Sequence, residues 1–195
     1  MKEKNPILSK FDLKFKICVS GAAETEHCKA DAMEKAMILG REIVRHKAIL
    51  VNGATTGFPL WAARAAKEEG GIVIGISPAS SEKEHIKKYN LPVEYTDMII
   101  YTGFGYSGRN LLLTRSADAV IIGCGRMGTL NEFTIAFEDE KPIGVLIGVG
   151  GTADEIKEIV ENAHRGPGKI VYESDPKTLV EKVIELIRKE KIVKI

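Results

Sequence analysis

Short apolar, β-branched runs alternate with segments of helical periodicity along the whole chain. The runs predict strands, and the segments between them predict helices. The predicted strands cover 15–19, 48–52, 72–77, 97–102, 119–123, 143–147 and 169–173, and the predicted helices cover 29–46, 58–69, 108–116, 129–140, 152–163 and 176–190. This alternation predicts an α/β fold, a Rossmann-like three-layer αβα sandwich around a parallel sheet of about seven strands.

No linker, repeat or low-complexity segment interrupts this pattern, so we expect one domain over residues 1–195. A chain of 195 residues with 44% hydrophobic residues can bury a full core. Residues 1–13 are expected to form a loosely held arm. The segment 79–95 is the least regular and is expected at the surface. Three histidines are also expected at the surface: His46, His85 and His164.

The charge balance and the apolar pattern exclude several classes of protein. Lys and Arg total 28 against 27 Asp and Glu, and a net charge of +1 argues against a dedicated nucleic-acid binder. No apolar run reaches the roughly 18 residues that a membrane span needs, and the N-terminus lacks an apolar signal core. We therefore expect a cytoplasmic protein. Three cysteines are too few and too scattered to predict a disulfide framework or a metal site: Cys18, Cys28 and Cys124.

Five of the predicted strands end in glycine-rich loops, at 20–22, 52–57, 103–109, 123–129 and 148–152. Ligands of open parallel sheets bind beyond the carboxyl ends of the strands, and glycine lets the backbone approach them closely. Short strand–helix loops can also use glycine simply to turn. We nevertheless predict a site at this edge, which includes Ser20, Gly21, Gly53, Thr55 and Gly57.

Two of these loops match the pattern G-x-G-x-x-G, with glycines at 103, 105 and 108 and at 123, 125 and 128. A dinucleotide site also needs an acidic residue about 20 positions further on, at the end of the next strand. Those positions hold Gly123-Cys124 and Ile147-Gly148, which are not acidic. The sequence therefore argues against an NAD or FAD site, and no glycine loop ends in the Gly-Lys-Ser/Thr of a Walker A motif.

Anion binding at a helix N-terminus is the interpretation of these loops that is still open. Free backbone N–H groups and the helix dipole favour a phosphate where a loop enters a helix. The predicted phosphate loop contains Gly125, Arg126, Met127, Gly128 and Thr129, with Gly108 in the corresponding position of the other loop. The Thr129 hydroxyl can bind the anion or only cap the helix. Arg126 can contact the anion or be a solvated surface charge.

Two charged residues near these loops have both a structural and a functional interpretation. Glu132 completes a T-x-x-E capping box with Thr129, but it can also bind ribose hydroxyls or transfer a proton. Arg109 opens the helix after the loop at 103–108, where a cation opposes the helix dipole, and such a conflict suggests a functional demand. An exposed or ion-paired arginine is the alternative. Cys124 lies beside the site, where we expect a packing or loop residue.

Together, these residues resemble the motif of a known superfamily. The stretch from Arg109-Asn110 through 116–121 to 125–132 resembles the Lonely Guy (LOG) superfamily, whose hallmark is P-G-G-x-G-T-x-x-E. That superfamily is often labelled "possible lysine decarboxylase" and includes molybdenum-cofactor carrier-like proteins. The loop at 52–59 and the segments 62–66 and 70–76 are also similar, so the resemblance covers about residues 15–150.

The resemblance implies a function and a role for each site residue. Cytokinin-activating members hydrolyse the N-glycosidic bond of a riboside 5′-monophosphate to the free base and ribose 5-phosphate. Their catalytic arginine and glutamate correspond to Arg109 and Glu132, and their phosphate loop to Gly125, Gly128 and Thr129. The resemblance further implies a homodimer or higher homo-oligomer, a small-molecule nucleotide or phosphate as ligand, and no required cofactor.

Two departures from the family pattern keep a second function open. Cys124 replaces the family proline, and Arg126 replaces its second glycine. The first candidate is a nucleoside 5′-monophosphate phosphoribohydrolase. The alternative is a carrier that holds a nucleotide or a phosphorylated, molybdopterin-like cofactor without turnover. Lysine decarboxylation needs pyridoxal phosphate on a lysine, and no lysine near the glycine loops suits that role.

Overall fold

A computed structural model describes residues 13–193 of the chain, so the predicted arm at 1–13 lies almost entirely outside the described residues. The strands are β1 (Lys16–Ser20), β2 (Ile49–Asn52), β3 (Val73–Ser77), β4 (Met98–Tyr101), β5 (Ala119–Ile122), β6 (Ile143–Leu146) and β7 (Ile170–Glu173). The helices are α1 (Ala32–Arg45), α2 (Phe58–Glu68), α3 (Glu82–Lys87), α4 (Gly105–Ser116), α5 (Met127–Glu138), α6 (Thr152–Asn162) and α7 (Pro176–Val193).

All seven strands form one parallel sheet in the order β4-β3-β2-β1-β5-β6-β7. The chain starts at the centre, runs outward to β4 and then returns to place β5 beside β1. On one side α1 packs against α2 and α7, and on the other α5 packs against α4 and α6. Right-handed crossovers put these two groups on opposite faces of the sheet. The predicted α/β fold is therefore confirmed.

The central strands are buried on both faces, which explains their continuous apolar sequences. Every residue of β5 and β6 is buried, and so are four of the five residues of β1. Phe58 is completely buried at the start of α2, where its ring packs against the loops that follow β1 and β5. A Cβ at Gly21 would lie 2.8 Å from Phe58, and a Cβ at Gly123 would lie 2.2 Å from its ring. These two glycines therefore give space to a core phenylalanine.

Most of the segment 79–95 is exposed, as predicted, but two of its features differ from the prediction. It contains α3, a six-residue helix that the sequence pattern did not indicate, and His85 in that helix is fully buried. The expectation of a surface position for His85 was wrong because the ring makes two tertiary hydrogen bonds. Its Nδ1 lies 2.8 Å from Ser77 Oγ, and its Nε2 lies 2.9 Å from the carbonyl oxygen of Pro92. His85 thus ties the end of β3 to the segment that follows α3.

None of the described helices combines the length and the apolar character that crossing a membrane requires.

We predict that His85→Ala lowers the free energy of unfolding by about 2–4 kcal/mol, because Ser77 Oγ and the Pro92 carbonyl would each lose a buried partner. Urea unfolding followed by circular dichroism measures the change. His46→Ala is the matched control, since His46 is only half-buried at the end of α1. An equal loss in both variants would contradict the structural role of the two bonds.

Candidate functional site

A cleft of about 530 Å³ opens at the carboxyl edge of the sheet, between the ends of β1, β2 and β5. It is lined by eight of the residues predicted for the site and by residues that were not predicted. The predicted ones are Gly21, Gly53, Thr55, Arg109, Arg126, Gly128, Thr129 and Glu132. The edge of the sheet on which the site was expected is therefore the edge that carries the cleft.

A larger cavity of about 810 Å³ lies at the opposite, amino edge of the sheet. Its charged residues largely neutralise one another. Lys16 pairs with Asp118 at 3.0 Å, and Arg115 pairs with Asp139 at 2.9 Å. Because paired charges leave little to recognise a ligand, and because parallel sheets bind ligands at their carboxyl edge, we place the site in the smaller cleft.

Glu132 lines the cleft. The residue is only 6% exposed and accepts a hydrogen bond from the hydroxyl of Ser20, at the end of β1. Burial raises the pKa of Glu132, while the positive charge of Arg109 and the Ser20 hydrogen bond act in the opposite direction. Its carboxyl group accepts a hydrogen bond from Ser20 in β1 rather than from a backbone N–H at the start of α5. The capping-box interpretation of Glu132 is therefore wrong.

Arg109 faces the same cleft from α4 and is also 6% exposed. Gly53 makes room for it, since a Cβ there would lie 1.5 Å from Nη1 of the guanidinium. Its Cζ lies 5.8 Å from the centre of the Tyr106 ring, within the range of a cation–π contact. Within the described part of the chain, the buried Nε has no hydrogen-bond partner. This arrangement leaves a buried cation with an unused donor.

The position of Arg109 in its helix differs from the prediction. Helix α4 begins at Gly105, four residues earlier, so Arg109 lies one turn inside the helix rather than at its start. Arg109 therefore does not oppose the helix dipole, contrary to the prediction, because the dipole effect is confined to the terminal turn. The alternative of an exposed arginine is also wrong, since the side chain is buried and lines the cleft.

The predicted phosphate loop does enter a helix N-terminus. Helix α5 begins at Met127, and its N-cap residue Arg126 makes no side-chain capping bond. The backbone N–H groups of the first turn are thus available to an anion. Thr129 lies inside the helix and packs against Gly125, where a Cβ would come within 2.4 Å of it. Thr129 is therefore not the N-cap, because α5 starts two residues before it.

Arg126 lies at the mouth of the cleft and pairs with Glu24, from the loop after β1, at 2.6 Å. Both side chains are more than half exposed, so the pair contributes little to stability. An exposed ion pair of this kind can open at little cost. Arg126 is therefore free to exchange Glu24 for an anionic ligand in the cleft.

The structure corrects the prediction for the cysteines. Cys28 and Cys124 form a disulfide across 96 residues of sequence, and Cys18 is a buried free thiol in β1. This pair could not be predicted from the sequence, because the two cysteines come together only when β5 returns to lie beside β1. The disulfide joins the loop after β1 to the residue directly before the phosphate loop. Cys124 is completely buried and does not line the cleft.

Several other predicted residues lie near the cleft without lining it. Gly57 has a φ of 70°, and a Cβ there would lie 2.2 Å from the carbonyl oxygen of Ala22, so its role is structural. Gly108 packs against Phe104, the N-cap residue of α4, and Gly125 packs against Thr129. Met127 is 74% exposed. Ser20 reaches the site through Glu132 alone.

Sequence reasoning missed one wall of the cleft. The wall includes Tyr106 from α4 and residues 89–91, which follow α3. The rings of Tyr89 and Tyr106 meet edge to face, with their centres 5.5 Å apart. Asn110, next to Arg109, donates to Asn131 at 2.9 Å, and its buried Oδ1 has no partner among the described residues. The one sequence feature that could have identified Asn110 as a cleft residue was its position directly after Arg109.

Comparisons with known proteins agree with the resemblance inferred from the sequence. A family model described as the SLOG cluster4 family matches residues 14–180. An uncharacterized protein of Archaeoglobus fulgidus is 32% identical over 130 residues, which make up 67% of this chain and 78% of that protein.

Two solved structures are similar to this chain over nearly their whole length. The molybdenum cofactor binding protein from the phototrophic bacterium Rippkaea orientalis has a TM-score of 0.69 at 27% identity, covering 91% of this chain and 97% of that chain. The Moco carrier protein from Chlamydomonas reinhardtii has a TM-score of 0.73 at 25% identity, covering 91% of this chain and 99% of that chain.

The raised pKa of Glu132 leads to a prediction about stability. A carboxyl group with a pKa above its unfolded value of about 4.3 stabilises the fold while it is protonated. This contribution is lost as the pH rises through the raised pKa. We therefore expect Glu132→Gln to gain stability relative to the wild type as the pH rises from about 4, because the glutamine never ionises.

Urea unfolding at a series of pH values measures this difference. Glu158→Gln is the control, because Glu158 is an exposed glutamate on α6. Parallel pH profiles for the wild type and Glu132→Gln would contradict the raised pKa.

Proposed function

The chain belongs to the SLOG cluster4 family, and from that premise we propose that the cleft binds a phosphorylated nucleotide or a nucleotide-like cofactor. We propose further that it hydrolyses the N-glycosidic bond of nucleoside 5′-monophosphates. One observation carries the proposal. A buried arginine and a buried glutamate face the same cleft, and the uncapped N-terminus of α5 borders it.

Each part of the cleft suits one part of such a ligand. The first-turn N–H groups of α5 suit the phosphate, and Arg126 is close enough to exchange Glu24 for it. The half-exposed ring of Tyr106 suits a flat base, since bases stack on aromatic rings. The ribose then lies between these ends, beside Glu132 and Arg109. Binding energy from the phosphate and the base fixes the sugar for reaction.

The proposed reaction breaks the bond between the sugar C1′ and the base nitrogen. Positive charge develops on the sugar in the transition state, as in other glycoside hydrolyses. Glu132 accepts a proton from the attacking water, whose oxygen forms the new bond to C1′. The departing base keeps the electron pair of the broken bond and receives the proton that Glu132 took from water, which gives the free base and ribose 5-phosphate and regenerates the carboxylate. Arg109 stabilises negative charge on the leaving base or on the sugar oxygens.

The local environment of Glu132 suits this role. A general base works best when its pKa lies close to the working pH, and burial raises the pKa of this carboxyl. The hydrogen bond from Ser20 leaves one carboxylate oxygen for water or for a ribose hydroxyl. No metal or cofactor is required by this scheme.

A second candidate function is that of a non-catalytic carrier. The observation that favours it is the similarity, at 25–27% identity and over nearly the whole chain, to a molybdenum cofactor binding protein and a Moco carrier protein. The same N–H groups and the same aromatic wall would suit a phosphorylated, flat-ringed cofactor. A carrier would bind its ligand tightly and release no base.

We also propose a homodimer or higher homo-oligomer, with no nucleic acid and no membrane as partner. Apolar side chains of the edge strand β4 and of α4 are 37–58% exposed, namely Met98, Ile100, Leu111 and Leu112. A second copy of the chain would cover them. Light scattering on the purified protein measures the mass directly.

We predict that the purified protein releases free base from at least one member of a panel of nucleoside 5′-monophosphates that includes AMP and isopentenyl-AMP. Glu132→Gln and Arg109→Ala are each expected to lower the rate on the order of a hundredfold or more, because each removes a group that acts in the transition state. Chromatography of free base and ribose 5-phosphate measures turnover.

Two control variants separate chemistry from folding. Arg115→Ala removes an arginine of the same helix that pairs with Asp139 outside the cleft, and Glu138→Gln changes an exposed glutamate of α5. Both should retain full activity. Nucleotides that raise the melting temperature without any base release would contradict the hydrolase and favour the carrier.

A further inference from the structure

Three potential metal ligands meet beside the cleft, in residues that the proposed function does not use. They are His27 and Cys28, from the loop after β1, and Cys124, from the loop after β5. Their ligand atoms all lie within 4.8 Å of one another. In the structure the two cysteines form a disulfide, and His27 lies next to it.

The position of His27 is not explained by the disulfide alone, because a disulfide needs no imidazole beside it. His27 Nε2 lies 3.6 Å from Cys124 Sγ and 3.3 Å from the carbonyl oxygen of Gly125. Tetrahedral zinc, with bonds of about 2.3 Å to sulfur and about 2.0–2.1 Å to nitrogen, separates these two ligand atoms by about 3.6 Å. One edge of a zinc tetrahedron is thus already present.

The backbone around the imidazole is fixed in place. Gly151 has a φ of 64°, and a Cβ there would lie 2.4 Å from the Gly125 carbonyl oxygen and 3.1 Å from His27 Nε2. The N–H of Thr152 donates to the same carbonyl at 2.9 Å. The loop after β6 therefore fixes the position of Gly125 and of the neighbouring Cys124. Because Gly151 has no side chain, there is space for the ring of His27.

We propose that reduction of the Cys28–Cys124 disulfide creates a zinc site formed by His27, Cys28 and Cys124. A dithiol reductant supplies two electrons and two protons, the S–S bond breaks, and the reductant becomes a disulfide itself. Binding of Zn²⁺ then releases the two thiol protons, since thiolates are the ligands. Two thiolates and an imidazole are a donor set that zinc prefers.

The fourth ligand position is open to water. His27 is exposed and Cys28 is half-buried, whereas Cys124 is buried. Because the same two sulfur atoms form either the disulfide or the metal bonds, the two states exclude each other. Metal binding at this position therefore depends on the redox state of the protein.

The test compares Co²⁺ and Zn²⁺ binding by the oxidised and the reduced full chain. Thiol titration after denaturation defines the two states, with one free thiol in the oxidised form and three in the reduced form. After reduction with a phosphine and anaerobic desalting, we expect one Co²⁺ per chain, a thiolate-to-cobalt charge-transfer band, and displacement of that band by Zn²⁺. The oxidised form should show no band.

Three variants make the test specific. His27→Ala and Cys28→Ser should each lose stoichiometric binding, and His27→Ala should fold normally because the side chain is exposed. Cys18→Ala is the matched control, since Cys18 is a thiol outside the site, and it should keep the band. The proposal is overturned if the reduced wild type binds no metal, or if both His27→Ala and Cys28→Ser keep an unchanged band.

Discussion

Two opposite charges, the Arg109 guanidinium and the Glu132 carboxyl, are buried together at the carboxyl edge of the sheet. Burying an ion costs several kcal/mol, and the cost is tolerated only where partners compensate it. Here the compensation comes from elements far apart in sequence. Ser20 donates to the carboxyl, Gly53 leaves space for the guanidinium, and each charge partly offsets the other. The compensation is incomplete, since Nε of Arg109 remains unpaired. A buried charge with an unsatisfied donor beside a cleft is a feature that functional sites concentrate.

The architecture and the edge that carries the site could be predicted from the sequence because they follow from local pattern. Strands buried on both faces need continuous apolar runs, and all seven runs became strands within one residue of their predicted ends. Six helices also followed from periodicity, with ends within three residues of those predicted. The glycine-rich ends of the strands located the cleft, and the two residues singled out for chemistry are the two buried charges that face it.

The features that were predicted wrongly depend on contacts between distant segments of the chain. Helix α3 is short, and its buried His85 is satisfied by Ser77 and Pro92, which no local pattern reveals. The Cys28–Cys124 pair requires β5 to lie beside β1. The glycines were not equivalent either. Gly53 makes room for a site residue, whereas Gly21 and Gly123 make room for Phe58. Position in sequence alone could not separate these roles.

The most direct test of the cleft as a nucleotide site is a crystal structure of Glu132→Gln with AMP. We predict phosphate oxygens on the backbone N–H groups at the start of α5, the ribose between Arg109 and residue 132, and the base against Tyr106. A nucleotide bound instead in the cavity at the amino edge of the sheet, near Lys16 and Lys141, would contradict it. So would a phosphate placed away from the N-terminus of α5.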